Sequence, residues 1–278
     1  MPIDPSAAIG AEVGTRQFSW TESDVLLYHL GVGATDLSYT LETAGLQVLP
    51  SFAVVAPTFH ETDRPSLELP GCDINLAQVV HGSQAVEVTG SIPTSGEASL
   101  TTRITDVWDK GKAAVIWQEG VATAATGEEL WRVRSSIFVR GEGGFGGDRG
   151  SSTAVEVPER PADAVLTYDV TPQQALLYRL CGDRNPLHAD PEFAKSAGFP
   201  APILHGLCTY GIVLREVVDH LFDGDSGAVR SYDARFAGVV FPGERLTINA
   251  WDTGADVVVS ATVDDDHRPA LNDCRITA

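Results

Sequence analysis

The chain has 278 residues, 43% of them hydrophobic and 21% charged, which is ordinary for a globular protein with room for one large domain or two of usual size. A formal net charge of −19 is the wrong sign for a nucleic-acid reader and argues against that class of partner. No apolar run reaches the length of a membrane span, and the four cysteines, Cys72, Cys181, Cys208 and Cys274, form no C-x-x-C pair, so neither a zinc framework nor a disulfide framework is indicated.

The opening MPIDPSAAIGAEVG lacks the basic-then-apolar pattern of a secretion signal, and the closing CRITA is not a peroxisomal S-K-L address, so the expected location is the cytoplasm. Helical spacing first appears at Glu22 to Gly33, ESDVLLYHLGVG. Val79 to Ile104 reads as an extended run, a Pro/Gly turn and an alternating run. Ala113 to Ala125 and Leu130 to Gly141 are strand-like, with β-branched or alternating residues. Gly141 to Pro161, GEGGFGGDRGSSTAVEVPERP, is rich in Gly, Ser and Pro and reads as a linker. A phosphate-cradling role for its glycines is disfavoured, because no strand-then-helix context surrounds them.

Beyond the linker, Pro172 to Arg184, PQQALLYRLCGDR, repeats the LLY-x-L core of the first helix. Leu204 to Phe222 is the best helix, with a wide apolar stripe. Val229 to Trp251 parallels Val79 to Ile104, each with a turn ending in Gly-Glu, and Asp256 to Asp265 is a further strand. Because both matches keep their order, an internal duplication is the economical explanation. Each half then reads as α+β: helical material followed by several antiparallel strands.

The chemically informative stretch is Tyr178 to Gly206, in which Asp183, Asn185 and His188 fall within six residues, punctuated by Gly182 and Pro186. Such punctuation predicts a rigid turn that presents the three side chains from a fixed edge. Alone, Gly-Asp-x-Asn-Pro is ordinary turn chemistry. The whole pattern, G-D-x-N-P-[apolar]-H followed by P-x-[apolar]-H-G, is carried here by Gly182, Asp183, Asn185, Pro186, Leu187 and His188, then Pro202, His205 and Gly206. It resembles the signature of the (R)-specific enoyl-CoA hydratases, the hydratase 2 or MaoC-like dehydratase family, in its two-domain form.

That resemblance implies a double hot dog fold: residues 1–140 as an N-terminal repeat, 141–161 as linker and 162–278 as the repeat carrying the motif. Leu204 to Phe222 becomes the helix wrapped by the second sheet. Its counterpart, Val48 to Ala56, is short, contains Pro50 and reads as a degraded helix whose loss opens a tunnel for the acyl chain. The motif is missing from the first half, so one active site per chain is expected. The implied activity is reversible addition of water to a trans-2-enoyl-CoA. Asp183 and His188 act as the acid/base pair on one water, Asn185 positions it, and the Gly206 backbone N–H serves as oxyanion donor at a helix N-terminus. His205 reads as a structural or substrate-contact residue, and His81 as lining the acyl tunnel or structural. Of Arg184, Arg230 and Arg235, Arg235 is favoured as a contact to the anionic CoA. No metal cluster is seen, and no cofactor is implied beyond the CoA of the substrate. A homodimer is expected from exposed sheet edges and the family habit. Competing readings are a 3-hydroxyacyl-thioester dehydratase of fatty-acid or polyketide synthesis, a thioester hydrolase and a non-catalytic acyl-CoA-binding protein.

Overall fold

The computed structural model describes residues 3–75, 78–151 and 154–278. After a short helix α1 (Pro5–Ala8), the first half contains β1 (Glu12–Trp20), α2 (Glu22–Gly31), α3 (Leu37–Thr40), α4 (Phe52–Val55), β2 (Val79–Val88), β3 (Gly96–Asp109), β4 (Ala113–Thr123) and β5 (Glu129–Arg140). The second half contains β6 (Ala164–Asp169), α5 (Gln174–Tyr178), α6 (Pro191–Ser196), α7 (Gly206–Leu221), β7 (Ser231–Phe236), β8 (Arg245–Asp252), β9 (Val257–Val263) and β10 (Pro269–Thr277). Strands β1, β6 and β10 lie outside the sequence-predicted segments.

The ten strands form one sheet in the order β1-β3-β4-β5-β2-β7-β10-β9-β8-β6, and every pairing is antiparallel. Read outward from the β2–β7 seam, both halves run second, fifth, fourth, third, first. Each half is therefore the same five-stranded unit, and the two join edge to edge through their second strands. This is the double hot dog architecture, with the duplication visible in topology.

The wrapped helix of the second half is α7. Ile212, Val213, Leu214, Val217 and Val218 are fully buried against strand residues such as Leu246, Ile248, Val259 and Ala261. Burial of each such aliphatic side chain contributes about 1.5–3 kcal/mol, so α7 is held by its packing. Arg215, also buried on α7, donates from Nε to the Val32 carbonyl at 3.2 Å and pairs with Glu216 at 2.6 Å, tying α7 to the end of α2. In the first half the corresponding place holds only α4 and a 3₁₀ turn, Ala56–Thr58, with prolines at 50 and 57 flanking the four-residue helix. Leu49, Phe52, Ala53 and Phe59 fill that space and are buried.

Helix α2 starts at a capping box: the Thr21 amide donates to Asp24 Oδ2 at 2.8 Å and the Asp24 amide to Thr21 Oγ1 at 3.4 Å. Its LLY counterpart α5 has five residues against the ten of α2, because Arg179–Cys181 tightens into a 3₁₀ turn before Gly182. The two copies pack on each other, with Tyr28 and Tyr178 rings 6.2 Å apart.

The segment between the halves has no regular secondary structure where described; Ser152 and Thr153 lie outside the described residues. Its glycines do cradle an anion, a carboxylate of the chain itself. The amides of Gly144 and Gly146 donate to Asp109 at 2.8 and 2.7 Å, holding the linker on the end of β3.

Gly182 joins the halves at a critical point. Its φ is +105°, and a Cβ there would lie 2.0 Å from the Thr58 carbonyl oxygen. Both facts exclude a side chain. Gly182→Ala is expected to cost more than about 2 kcal/mol in urea denaturation, from left-handed strain and from forcing the 3₁₀ turn off the loop; unchanged stability would show that this contact yields freely.

Candidate active site

The loop after α5 is built from successive side-chain-to-backbone turns. Asp183 Oδ1 accepts from the Asn185 amide at 3.0 Å, and Asn185 Oδ1 accepts from the Leu187 amide at 3.0 Å, capping the 3₁₀ turn Pro186–His188. Asn185 therefore spends its carbonyl oxygen on the loop and keeps its amide group for other partners. His188 is buried, and its Nδ1 lies 2.9 Å from the Ile203 carbonyl oxygen. A carbonyl only accepts, so Nδ1 carries the proton and Nε2 the lone pair. Nε2 faces Asp183 Oδ2 at 4.0 Å. That distance is too long for a direct hydrogen bond and suits one water donating a hydrogen to each acceptor.

Burial lowers the pKa of His188 below the usual imidazole range, against the opposing pull of the Asp183 charge. The group is thus a neutral base at neutral pH, beside a carboxylate that is about two-fifths exposed.

His205 stands behind this pair. Its ring stacks on His188 with centroids 3.6 Å apart, and its Nε2 lies 3.4 Å from the Asp183 carbonyl oxygen. Burial, and then the neighbouring His188, press its pKa down to about 2. It is a neutral plate that braces His188 without adding charge. Tyr178 covers its other side with ring centroids 5.0 Å apart.

Three possible metal ligands do converge: Asp183, His188 and His205 offer atoms within 4.8 Å of one another. The sequence indicated no such cluster, because His205 stands seventeen residues after His188. The near-parallel stacking of the two imidazoles, 26° between planes, points their lone pairs side by side instead of at one centre. That geometry does not suit a shared metal ion.

Gly206 is the first residue of α7, and the His205 carbonyl accepts from the Cys208 and Thr209 amides. The Gly206 amide thus belongs to the first turn, whose N–H groups the helix itself leaves unpaired. A Cβ on Gly206 would lie 3.1 Å from the Phe236 ring, so the ring closes down on the backbone here. The stretch before α7 is fixed by the Ile203 amide to the Leu187 carbonyl at 3.3 Å and the Leu204 amide to the Val240 carbonyl at 2.7 Å.

The structure thus brings Asp183, Asn185, His188, His205 and Gly206 together. His81, on β2, reaches them through its contact with Phe236, at 4.6 Å between ring centroids. Arg235 is not brought in. It follows Ala234, which is buried, so by strand alternation it points to the opposite face, where it pairs with Asp273. Arg230 binds the carbonyl of Gly227 at 2.6 Å, and Arg184 faces the Glu61 carbonyl at 3.5 Å. The Ile203 carbonyl, Tyr178 and Phe236 also pack in this group, and no motif in the sequence marks them. The P-x-[apolar]-H-G spacing fixes the place of Ile203, but a backbone carbonyl leaves no residue type to read.

A relative from Mycobacterium tuberculosis, "Enoyl-CoA hydratase ChsH3", is 54% identical over 94% of this chain and 93% of its own length. The chain belongs to the MaoC-like hydratase 2 family. The MaoC like domain matches residues 153–267, and the MFE-2 hydratase 2 N-terminal domain matches residues 18–141. A second M. tuberculosis relative, "3-hydroxyacyl-thioester dehydratase Y", is 42% identical over 91% of this chain and 89% of its own. Among solved structures, a MaoC-like dehydratase from Phytophthora capsici superposes with a TM-score of 0.89 at 30% identity, covering 96% of this chain and 95% of that one.

Neutral buried imidazoles make stability pH-dependent. His29 is fully buried, donates from Nδ1 to the Tyr39 carbonyl and accepts the Leu49 amide at Nε2; burial holds its pKa at about 4. The unfolded chain takes up protons at these histidines near pH 6.5 and the folded chain does not, so stability is full above that range and falls as pH drops below it. His29 and His205 together are expected to remove about 3 kcal/mol between pH 6.5 and pH 5. Denaturant melts across that range should show the loss, and His29→Gln should make it shallower; equal losses in both proteins would contradict this.

Proposed function

We propose that this protein is an (R)-specific enoyl-CoA hydratase that adds water reversibly across the double bond of a trans-2-enoyl-CoA, giving the (3R)-hydroxyacyl-CoA. The observation that carries this reading is the pair of acceptors, Asp183 Oδ2 and His188 Nε2, set 4.0 Å apart with the imidazole tautomer fixed from behind. A water held between them turns its oxygen lone pairs toward the substrate. As its oxygen bonds to C3, one proton passes to the pair, and the pair returns a proton to C2, so one water is added and the protein is unchanged. Both transfers come from one side, which makes the addition syn. The Asn185 amide group steadies the water or the Asp183 carboxylate. The Gly206 amide receives the charge that develops on the thioester oxygen, an interaction worth about 3 kcal/mol in the transition state.

The same reading takes residues 1–140 and 162–278 as the two repeats, joined by 141–161. Acyl chains enter beside the shortened helix, where a cleft of about 340 Å³ is lined by Phe18, Ala56, Pro57 and Thr58 and, on its polar side, by Arg16, Gln17, Ser19, His60, Glu61 and Thr62. The Thr58 carbonyl abuts Gly182, so this cleft adjoins the catalytic loop. The exposed edge strand β6, whose Val165 is 62% exposed, suits pairing of two copies as a homodimer. The protein works in the cytoplasm and needs no cofactor besides the CoA of its substrate.

A second reading, dehydration of 3-hydroxyacyl thioesters on a carrier protein, uses the same residues in reverse and is favoured by the name of the 42% identical relative. Pure acyl-CoA binding would leave the water-activating pair without a use.

Loss of the enoyl-thioester ultraviolet band on mixing the protein with short and long trans-2-enoyl-CoA tests the proposal. Asp183→Asn and His188→Gln should each slow that loss by about a hundredfold or more. An unchanged band with the wild-type protein would overturn the hydratase reading, and preference for a carrier-bound thioester would favour the second.

A further inference from the structure

The phosphates of a CoA thioester call for cations, and Arg184, Arg230 and Arg235 are each engaged by a carbonyl or a carboxylate of the chain. Another group of cations is not. The chain has only three lysines, and two of them, Lys110 and Lys112, flank Gly111 in the turn between β3 and β4. Arg140, the last residue of β5, is paired in the ladder with Ala113, and the Gly141 amide donates to the Lys112 carbonyl at 2.9 Å. Arg149 comes from the segment between the repeats, and its guanidinium lies 3.9 Å from where a Cβ of Gly111 would be. Four cations thus meet at one corner of the sheet.

The chain does not neutralise them. Its net charge is −19, and most of its other arginines are held by carboxylates, among them Arg132, Arg160, Arg245 and Arg268. None of the four corner cations has an ion pair among the described residues. Lys112, Arg140 and Arg149 are exposed, and their charged heads make no hydrogen bond there either. The acids closest in sequence are used elsewhere: Asp109 accepts from the amides of Gly111, Gly144 and Gly146, and Asp148 from that of Gly150. The corner is also held in place. Lys110 Nζ lies over the Trp108 ring, 4.8 Å from its centroid, and donates to the Arg149 carbonyl. The glycines bound to Asp109 pin the segment that brings Arg149 to the turn. Cations already ordered bind an anion at a lower entropic cost.

The corner stands at the catalytic end of the sheet. Strand β2 leaves β7 after Ser83↔Arg235, beside Phe236, whose ring meets His81 and closes on Gly206. Gly82 is a one-residue bulge in β2, so His81 pairs with Ile137 and shares its inner face. Arg140 follows about 10 Å further along β5, and the turn at 110–112 lies two strand spacings from β2, about 10 Å across. A pantetheine arm is comparable to four extended residues, roughly 15 Å, which matches that diagonal.

We propose that Lys110, Lys112, Arg140 and Arg149 form the site that receives the pyrophosphate and 3′-phosphate of coenzyme A. The inference rests on the acyl-CoA reading above and gives the first repeat and the linker the task of binding the anionic end of the substrate. Contacts between exposed charges are screened, so this part of the binding weakens as salt is added.

The test compares crotonyl-CoA with crotonyl-pantetheine, which keeps the reacting group and the arm and lacks the phosphates. The double variant Lys112→Gln/Arg149→Gln should raise KM for crotonyl-CoA about tenfold at unchanged kcat, and leave crotonyl-pantetheine turnover as it was. Potassium chloride should raise the wild-type KM for the CoA ester alone. Arg230→Gln, which removes a cation outside the corner, should alter neither substrate. Titration calorimetry with adenosine 3′,5′-bisphosphate reads the site without turnover, and its affinity should fall about tenfold in the double variant. Wild-type KM and wild-type bisphosphate affinity in the double variant would overturn this proposal and leave the hydratase reading standing. An equal rise in KM for both substrates would also overturn it, since it would mark a structural effect. Bisphosphate binding that depends on Lys112 and Arg149, in a protein that hydrates neither thioester, would overturn the hydratase reading and keep the site.

Discussion

The hydrogen bond from His188 Nδ1 to the Ile203 carbonyl sets the chemistry of the whole site. It fixes which nitrogen carries the proton, and so leaves a lone pair facing the Asp183 carboxylate. It holds only if residues 202–204 stay where they are, between the Leu187 carbonyl on one side and the Val240 carbonyl on the other. That position depends in turn on α7, which begins two residues later and is clamped by the second sheet. The burial of α7 thus supports the orientation of one imidazole.

The two repeats divide the work unequally. The second keeps its long helix and uses the helix start to present His205 and Gly206. The first has given up that helix, and what remains serves the neighbour: the Thr58 carbonyl closes on Gly182, Gly31 makes room for Tyr178, and the bulge in β2 turns His81 inward. In the proposed reading the second half carries the chemistry and the first supplies a wall of the site.

Much of this was legible in the sequence. The duplicated LLY-x-L and Gly-Glu turn patterns anticipated the mirrored strand order, and Pro50 within a short apolar run anticipated the broken helix. Strands β1 and β6 were missed because both are edge strands with little burial to leave a period: six residues of β1 are exposed, and β6 alternates only between exposed and half-buried. Arg235 illustrates a different limit. Its composition suited an anionic ligand, but strand parity sends it to the far face, and parity requires the register. His81 shows the converse, since a one-residue bulge reverses parity and only the pairing reveals it. Backbone partners such as the Ile203 carbonyl leave no trace in residue type.

The central claim is that Asp183 and His188 work on one water from one face of the substrate. Hydration of a trans-2-enoyl-CoA in deuterium oxide, with the product's configuration at C2 and C3 read by NMR, tests it most directly. The account predicts a single (3R)-hydroxyacyl-CoA whose C2 deuterium lies on the same side as the new hydroxyl. An anti product, a (3S) alcohol or deuterium scrambled over both C2 positions would contradict it.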